Sequence, residues 1–572
     1  MSSSQSNLSA SNYGYDVVVA TTQATINSQL KAYLKNASQP VTYAAFLAGK
    51  DGKPTVQTDL DDLLKKTGGV NPFEIPAGTP ADDQKIAALD KAGFLVGVKA
   101  RMGMPPGVAP TDLPPVITLG TSAARTGVNL FCSELAVVQN KPAAGESAAE
   151  WNVWTQPSGA PWYFSTEVDL TYKDLSKELD TPYFRSHPKA KAALLAKLKS
   201  LGSMAYSLQQ LVVDFDTTTL ESLPKIEGLP ADSDAARVLQ SYFIDIYARM
   251  AAAQGDPVLA VQAVGNAPDK SGLVLTGLER EVTPPLDASG KVIAHPSPVQ
   301  QETATLDYLG AVNENALPPA APFTWAWVDQ DQVDSVSGAI AINRNLVAQQ
   351  LIDELVPMVR INCLKPHTHV SAYAMGKVHY TVHLKSGQAP NSAKVTASGA
   401  KTGKISHSAT SHAYNKAGAT AGELKADPSY DCTISVKGNQ IVIEQHMKVY
   451  FYIRWDDTSK GANLIDKCIT DTYAIGVDAQ GGLTLQKLHT KHKDDSQSGD
   501  LNWFSNTFGH INNVTDEVKK SLKNYTSTNL KSIEAAKIQN FVFPGAAVFT
   551  FGDAAFSDHQ DLVANITYVP AT

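Results

Sequence analysis

The chain has 572 residues, 43% of them hydrophobic and 18% charged, which is too long for one ordinary core and too apolar for a disordered chain. Its net charge of −8 argues against nucleic acid as a main partner, because phosphate binding needs a concentrated basic surface. No run approaches the roughly 18 continuous apolar residues of a membrane-spanning helix.

Met1 to Asn7 lacks the basic flank and apolar stretch of a secretory signal, so the expected location is the cytoplasm or a leaderless route out of it. Residues 1–12 read as a mobile Ser/Asn tail. Tyr15 to Ala20 then reads as a strand, Thr21 or Thr22 as a cap, and Ile26, Leu30, Tyr33 and Leu34 as a helical stripe. Strands follow at 41–47, 93–101, 116–119, 127–138 and 151–172. Short helices are expected at 59–66 and 82–92. The sequence predicts a lysine-flanked helix over 188–201, a strand over 207–216 and a longer helix over 232–253. Residues 1–12 and 13–277 therefore divide into a tail and an N-terminal α+β lobe.

Residues 278–335 are rich in proline and read as a connector with one strand at 303–309. Phe323, Trp325 and Trp327 alternate with smaller residues, which predicts a strand with an aromatic face. Residues 336–572 form the expected C-terminal, β-rich lobe. It opens with a second strand-then-helix unit: Ala339 to Ile342, then the capping residues Asn343 and Asn345, then Val347, Leu351 and Leu355 at intervals of four, closed by Pro357. Strands are predicted at 376–384, 441–455 and 470–488, with hairpins or mobile loops over 386–427. A long helix is predicted from Ile511 past Leu530 and Ile533, then a closing hairpin at 546–551 and 562–568.

Chemistry-bearing motifs are sparse. The four cysteines are far apart and read as buried free thiols. His367 and His369 share a strand face, as do His379 and His383, which fits a water-facing sheet better than the three or four converging ligands a zinc ion needs. The nucleophile elbow Gly-x-Ser-x-Gly is absent, and Gly399 to Lys404 is one residue short of a phosphate loop. No catalytic residue, cofactor or metal is expected.

Three stretches resemble one family. Asn12-Tyr-Gly-Tyr-Asp-Val-Val-Val-Ala20 with Asn27 and Leu30, Ala341-Ile-Asn-Arg-Asn345 with its helix and proline, and Phe549 to Asp558 with Asp561-Leu-Val563 are similar to segments of the tubular lipid-binding (TULIP) accessory proteins encoded beside clostridial neurotoxins. The resemblance implies an elongated α+β protein in two lobes, with highly curved antiparallel sheets wrapped around long helices and an apolar seam between. It implies a lipid or other hydrophobic small molecule as ligand, with a protein partner and peripheral membrane contact as further possibilities. Ile26, Leu30, Leu34, Val347, Leu351 and Leu355 are the candidate lining residues, and simple core is the competing reading for all six. Two further readings stay open: a toxin-accessory or interaction module with no ligand, and an enzyme acting on an apolar substrate in the same cleft.

Overall fold

The first strand of the chain lies in the middle of a sheet. In the computed structural model β1 (Val17–Thr22) is flanked by β14 (Thr305–Val312) and β15 (Gly338–Ile342), and the sheet is completed by β13 (Leu275–Thr283), β26 (Phe549–Phe556) and β27 (Leu562–Tyr568) in the order β13-β14-β1-β15-β27-β26. Residues 3–568 are described, apart from 37–39, 123–125, 144–147, 200, 202–205, 214–224, 243–257, 268–272, 397, 398, 400, 480, 498–511, 524, 532 and 534–539.

All six residues of β1 are buried because both faces of this sheet are covered, which is why the strand reads as a continuous apolar run rather than an alternation. Val17 and Val19 face the main core, while Val18 and Ala20 face a second cluster containing Phe323, Trp325 and Trp327. Gly338 permits the close approach of β15, since a Cβ there would lie 2.0 Å from the Ala20 carbonyl oxygen.

An eight-stranded sheet follows in the order β11-β8-β6-β4-β2-β3, with β5 and β7 also paired to β6. Its strands are β2 (Thr42–Ala48), β3 (Pro54–Thr58), β4 (Phe94–Met102), β5 (Ile117–Leu119), β6 (Thr126–Lys141), β7 (Glu150–Thr155), β8 (Tyr163–Val168) and β11 (Lys225–Glu227). The helices α2 (Leu60–Thr67) and α3 (Gln84–Lys91), capped by Asp59 and Asp83, seal one face through Leu63, Ile86 and Leu89. A four-stranded sheet, β25-β12-β10-β9, combines β9 (Leu170–Leu175), β10 (Tyr206–Val213), β12 (Val258–Gly265) and β25 (Val542–Pro544). Helices α1 (Gln23–Asn36), α4 (Pro182–Ser186) and α5 (Pro188–Lys199) lie in this half, and residues 234–242 are helical (α6).

The later part of the chain contains the hairpin β16 (Lys365–Tyr373) and β17 (Lys377–Lys385) and a seven-stranded sheet. The latter has β18 (Ser392–Val395), β19 (Lys401–Ser408), β20 (Ser411–Ala417), β21 (Thr420–Lys437), β22 (Gln440–Trp455), β23 (Thr458–Val477) and β24 (Leu483–Asp494). Along β21 buried and half-buried residues alternate without a break, so one face of that sheet is core. Helix α8 (Arg344–Val359) packs on β18 and β19, after the short α7 (Pro298–Gln301), and α9 (Asn512–Lys523) packs on β17. Every strand pairing among the described residues is antiparallel, and the architecture is α+β.

Several expectations are corrected. The supposed tail is ordered from residue 3: the Ser6 hydroxyl and the Leu8 N–H both donate to the buried Asp561 carboxylate, at 2.8 and 2.6 Å, which ties the segment down. The strand expected at 303–309 within the segment 278–335 is β14, an inner strand of the central sheet, and β13 crosses the boundary drawn at 277/278. Phe323 to Val328 forms no strand. The Pro319 and Pro322 carbonyls there accept the Tyr15 and Tyr13 hydroxyls, and prolines deny a ladder its donors. Phe323, Trp325 and Trp327 instead pack tilted or edge-to-face on one another, and the first two on Tyr13, at 4.9–5.6 Å between rings.

Pro357 lies inside α8, which runs on to Val359, with the Arg360 N–H continuing the ladder to Val356. The last helix stops at Lys523 rather than passing Leu530; Asp471 captures the Thr528 N–H and hydroxyl, which holds the chain outside a helix. Residues 214–216 and 243–253 of two predicted elements, and Ile511, lie outside the described residues.

Candidate functional site

Helix α1 is held by a polar stripe, not by packing alone. Gln23, Asn27 and Lys31 recur every four residues and so share a face. The Gln23 side chain accepts the Leu119 N–H. Asn27 clamps β5 at two points, donating to the Ile117 carbonyl at 2.9 Å and accepting its N–H at 2.8 Å. Lys31 donates to the Leu113 carbonyl, and burial lowers its pKa. These bonds satisfy the backbone of a sheet-edge segment that would otherwise lack partners.

The neighbouring stripe is apolar and borders open space. Leu30 and Leu34 line a cavity of about 30 Å³ together with Met102, Ile117, Leu130 and Phe131. That volume holds one or two waters and its walls are almost wholly apolar, so it offers water few partners. Ile26 and Leu30 line a second void of about 20 Å³ that reaches Tyr183, Val258 and Leu259. On the outer side of α1 lies a groove of about 700 Å³, walled by Thr25, Ser28 and Gln29 of the helix, by residues 333–337, and by Gly545, Thr567 and Tyr568. The tight approach of this wall depends on Gly545 (φ 58): a Cβ there would lie 1.6 Å from the Gln29 side-chain oxygen.

Tyr33 borders all three spaces. Its ring stacks on His187 at 5.3 Å and 25° and on Tyr183 at 6.1 Å and 27°. Tyr183 and His187 stack on each other at 4.5 Å. The stack is set by the break between α4 and α5: Thr181 caps α4, His187 takes a non-helical conformation between the two helices, and its Nδ1 lies 2.8 Å from the Tyr183 carbonyl oxygen. The Tyr183 hydroxyl donates to the Gly545 carbonyl at 3.3 Å, and burial pushes its pKa up to about 12. Burial also raises the Tyr568 hydroxyl, which donates to Thr21. The groove thus offers neutral hydroxyls. Among its described lining residues only Asp334, which is exposed, and His187 bear a carboxylate or an imidazole.

Of the six candidate lining residues, Ile26, Leu30 and Leu34 are brought together beside open space. Val347, Leu351 and Leu355 are 2, 1 and 0% exposed and belong to the packed core beneath β18 and β19. Tyr183, His187 and Tyr568 were not among the expected site residues. The Thr181-Pro182 and His187-Pro188 pairs mark the helix break, but nothing local shows that it meets α1. Three cysteines are buried, and burial pushes the Cys132 and Cys432 thiols up to about 12. Among the described residues no three His, Cys, Asp or Glu side chains converge as a metal site would require, and no helix is long and apolar enough to cross a membrane.

No family model matches the chain, and no curated protein matches it. Among solved structures it is similar to P47 from Clostridium botulinum A2, at 12% identity over 97% of this chain and 98% of that one, with a TM-score of 0.45. P47 of Clostridium botulinum E1 gives 11% identity, 97% and 100% coverage and a TM-score of 0.44. A lipopolysaccharide binding protein gives 11% identity, 98% and 100% coverage and a TM-score of 0.25. Such scores fix neither a fold family nor a function.

Proposed function

We propose that the chain binds a lipid or other hydrophobic small molecule, without chemical conversion, along α1. The apolar part of the ligand inserts behind Tyr33 into the seam between Ile26, Leu30 and Leu34 and the sheet, and the polar end rests among the hydroxyls of the outer groove. In this reading the sheets wrap α1 as they do in the tubular lipid-binding proteins. The observation that carries it is that one side chain, Tyr33, separates an apolar cavity from a groove of about 700 Å³.

Desolvation supplies the affinity. Each methylene transferred from water contributes about 0.8 kcal/mol, so a short acyl chain needs no catalytic or charged group to bind. The cavity of about 30 Å³ is smaller than such a chain, so binding requires Tyr33 to swing and the Leu30 and Leu34 side chains to repack. The clamps at Gln23, Asn27 and Lys31 hold the α1 backbone while they do so.

Native mass spectrometry of the purified chain, followed by solvent extraction, tests this. A reproducible near-stoichiometric adduct that Leu34→Trp removes supports the site. A clean mass before and after incubation with lipid extract overturns it.

A further inference from the structure

The hairpin β16–β17 has two unlike faces. Val370, Val378, Tyr380, Val382 and Leu384 are buried. Lys365, His367 and His369 of β16, and Lys377, His379, His383 and Lys385 of β17, are all exposed on the other face. The register sets Lys365 directly opposite Lys385 and His367 directly opposite His383. Like charges in directly opposed positions weaken a strand pair, so this arrangement does not serve the hairpin's own stability.

The tip is equally out of place in a water-facing turn. Met375 is 96% exposed and Tyr373 is 51% exposed. Met375 also adopts φ 88, a left-handed conformation that Gly or Asn takes with less strain. The turn is held in that form by the adjoining hairpin, as the Gly376 N–H donates to the Thr420 hydroxyl.

The carboxylates on the elements packed against this hairpin are mostly engaged. On α9, Glu517 accepts the Leu384 N–H and lies 3.6 Å from Lys520. On β21, Glu423 lies between His412 and Arg454. Asp456 accepts the Ala421 N–H. Asp516 stands exposed on α9, beside the exposed Lys519, Lys520 and Lys523, and Lys416 is exposed on β20. The exposed face of the hairpin therefore carries lysines and histidines and no carboxylate in a chain whose net charge is −8, while the exposed Asp456, bonded to Ala421 beside the turn, and its neighbour Asp457 stand at the tip end.

We propose that this hairpin docks the protein on an anionic lipid surface, with Met375 and Tyr373 entering the interface and the lysines and histidines lying over the headgroups. Charge complementarity selects the occupant: a basic face ending in an exposed thioether and an aromatic ring matches acyl and headgroup layers in turn. Because the rest of the molecule is acidic, an anionic surface repels other orientations, and docking is oriented. Each lysine near such a surface contributes about fivefold in partitioning. The inference stands independently of the ligand proposed along α1.

The test is co-sedimentation of the full chain with phosphatidylcholine vesicles, with and without about 30% phosphatidylserine, in low salt and in about 0.5 M NaCl. The expected result is sedimentation with the anionic vesicles only, lost in high salt. The pair K365E/K385E lowers partitioning about tenfold or more, and M375N lowers it severalfold. All these side chains are exposed, and matching melting curves confirm that the variants fold. Equal sedimentation with both vesicle types, or unchanged partitioning of K365E/K385E and M375N, overturns the proposal.

Discussion

Helices α1 and α8 begin alike and are held differently. Both α1 and α8 follow directly from a buried strand of the central sheet, and both present an apolar stripe at a spacing of four. Helix α8 buries Leu346, Val347, Ala348, Leu351, Ile352, Leu355 and Val359 as one broad apolar face, opposite an exposed edge of Gln349, Asp353 and Pro357. Helix α1 buries Ile26, Leu30 and Leu34 but is positioned by Gln23, Asn27 and Lys31 bonding to backbone. A helix held by directional bonds keeps its place while the side chains beside it rearrange, whereas a helix held by packing cannot open a space without losing its support. The same hydrophobic spacing therefore makes a seam in one place and a sealed core in the other.

The largest expected effect tests the sealed side. Leu355→Ala removes a side chain with no exposure and costs about 3–5 kcal/mol, while Leu34→Ala costs about 2–3 kcal/mol and increases uptake of hydrophobic ligand. Denaturant melts and native mass spectrometry read both, and equal costs would erase the contrast between the helices. Next comes the anchor at the start of α8. Asp561 accepts the Arg344 N–H at 3.0 Å as well as Ser6 and Leu8, so Asp561→Ala strands buried donors and costs about 2–3 kcal/mol, with amide exchange rising over residues 3–8. Asn27→Ala breaks a two-point clamp and costs about 1–2 kcal/mol, and it loosens α1 without affecting exchange in α8.

The last prediction concerns pH. Asp307, on β14 beside β1, has its carboxyl pushed up to about 8 by burial, against which the hydrogen bond from Thr283 acts. The folded state holds a proton that the unfolded state releases above about pH 4. The stabilisation is thus full in acid and is lost as pH rises through about 8. Asp307→Asn removes that decline and is more stable than the parent at about pH 8, by about 1 kcal/mol or more. Thermal melts across pH check the sign.

Much of the local structure was legible because periodicity and capping chemistry are local. Asp59 and Asp83 cap the short helices, Asn343 caps α8, and the alternation in Lys377 to Leu384 marks β17. The illegible parts depend on partners distant in sequence. A Ser-rich opening reads as a tail until Asp561, more than five hundred residues away, supplies an acceptor for Ser6. The alternation at Phe323, Trp325 and Trp327 imitates a strand, although prolines just before it preclude a ladder and the rings turn to one cluster with Tyr13. The site shows the same division: the Ile26, Leu30 and Leu34 stripe is visible as spacing, but Tyr183 and His187 join it only through the packing of α4 against α1.

The placement of β1 also bears on how the chain is made. Val17 pairs with Gly310 on one side and Ile342 on the other, so β1 leaves the ribosome with no neighbour until those residues emerge. At ordinary synthesis rates of about 5–20 residues per second, that is a wait of roughly 15–60 s with a Val-Val-Val edge open to other nascent chains. Slowing synthesis ahead of Gly310 lengthens that exposure and is expected to lower the yield of native protein.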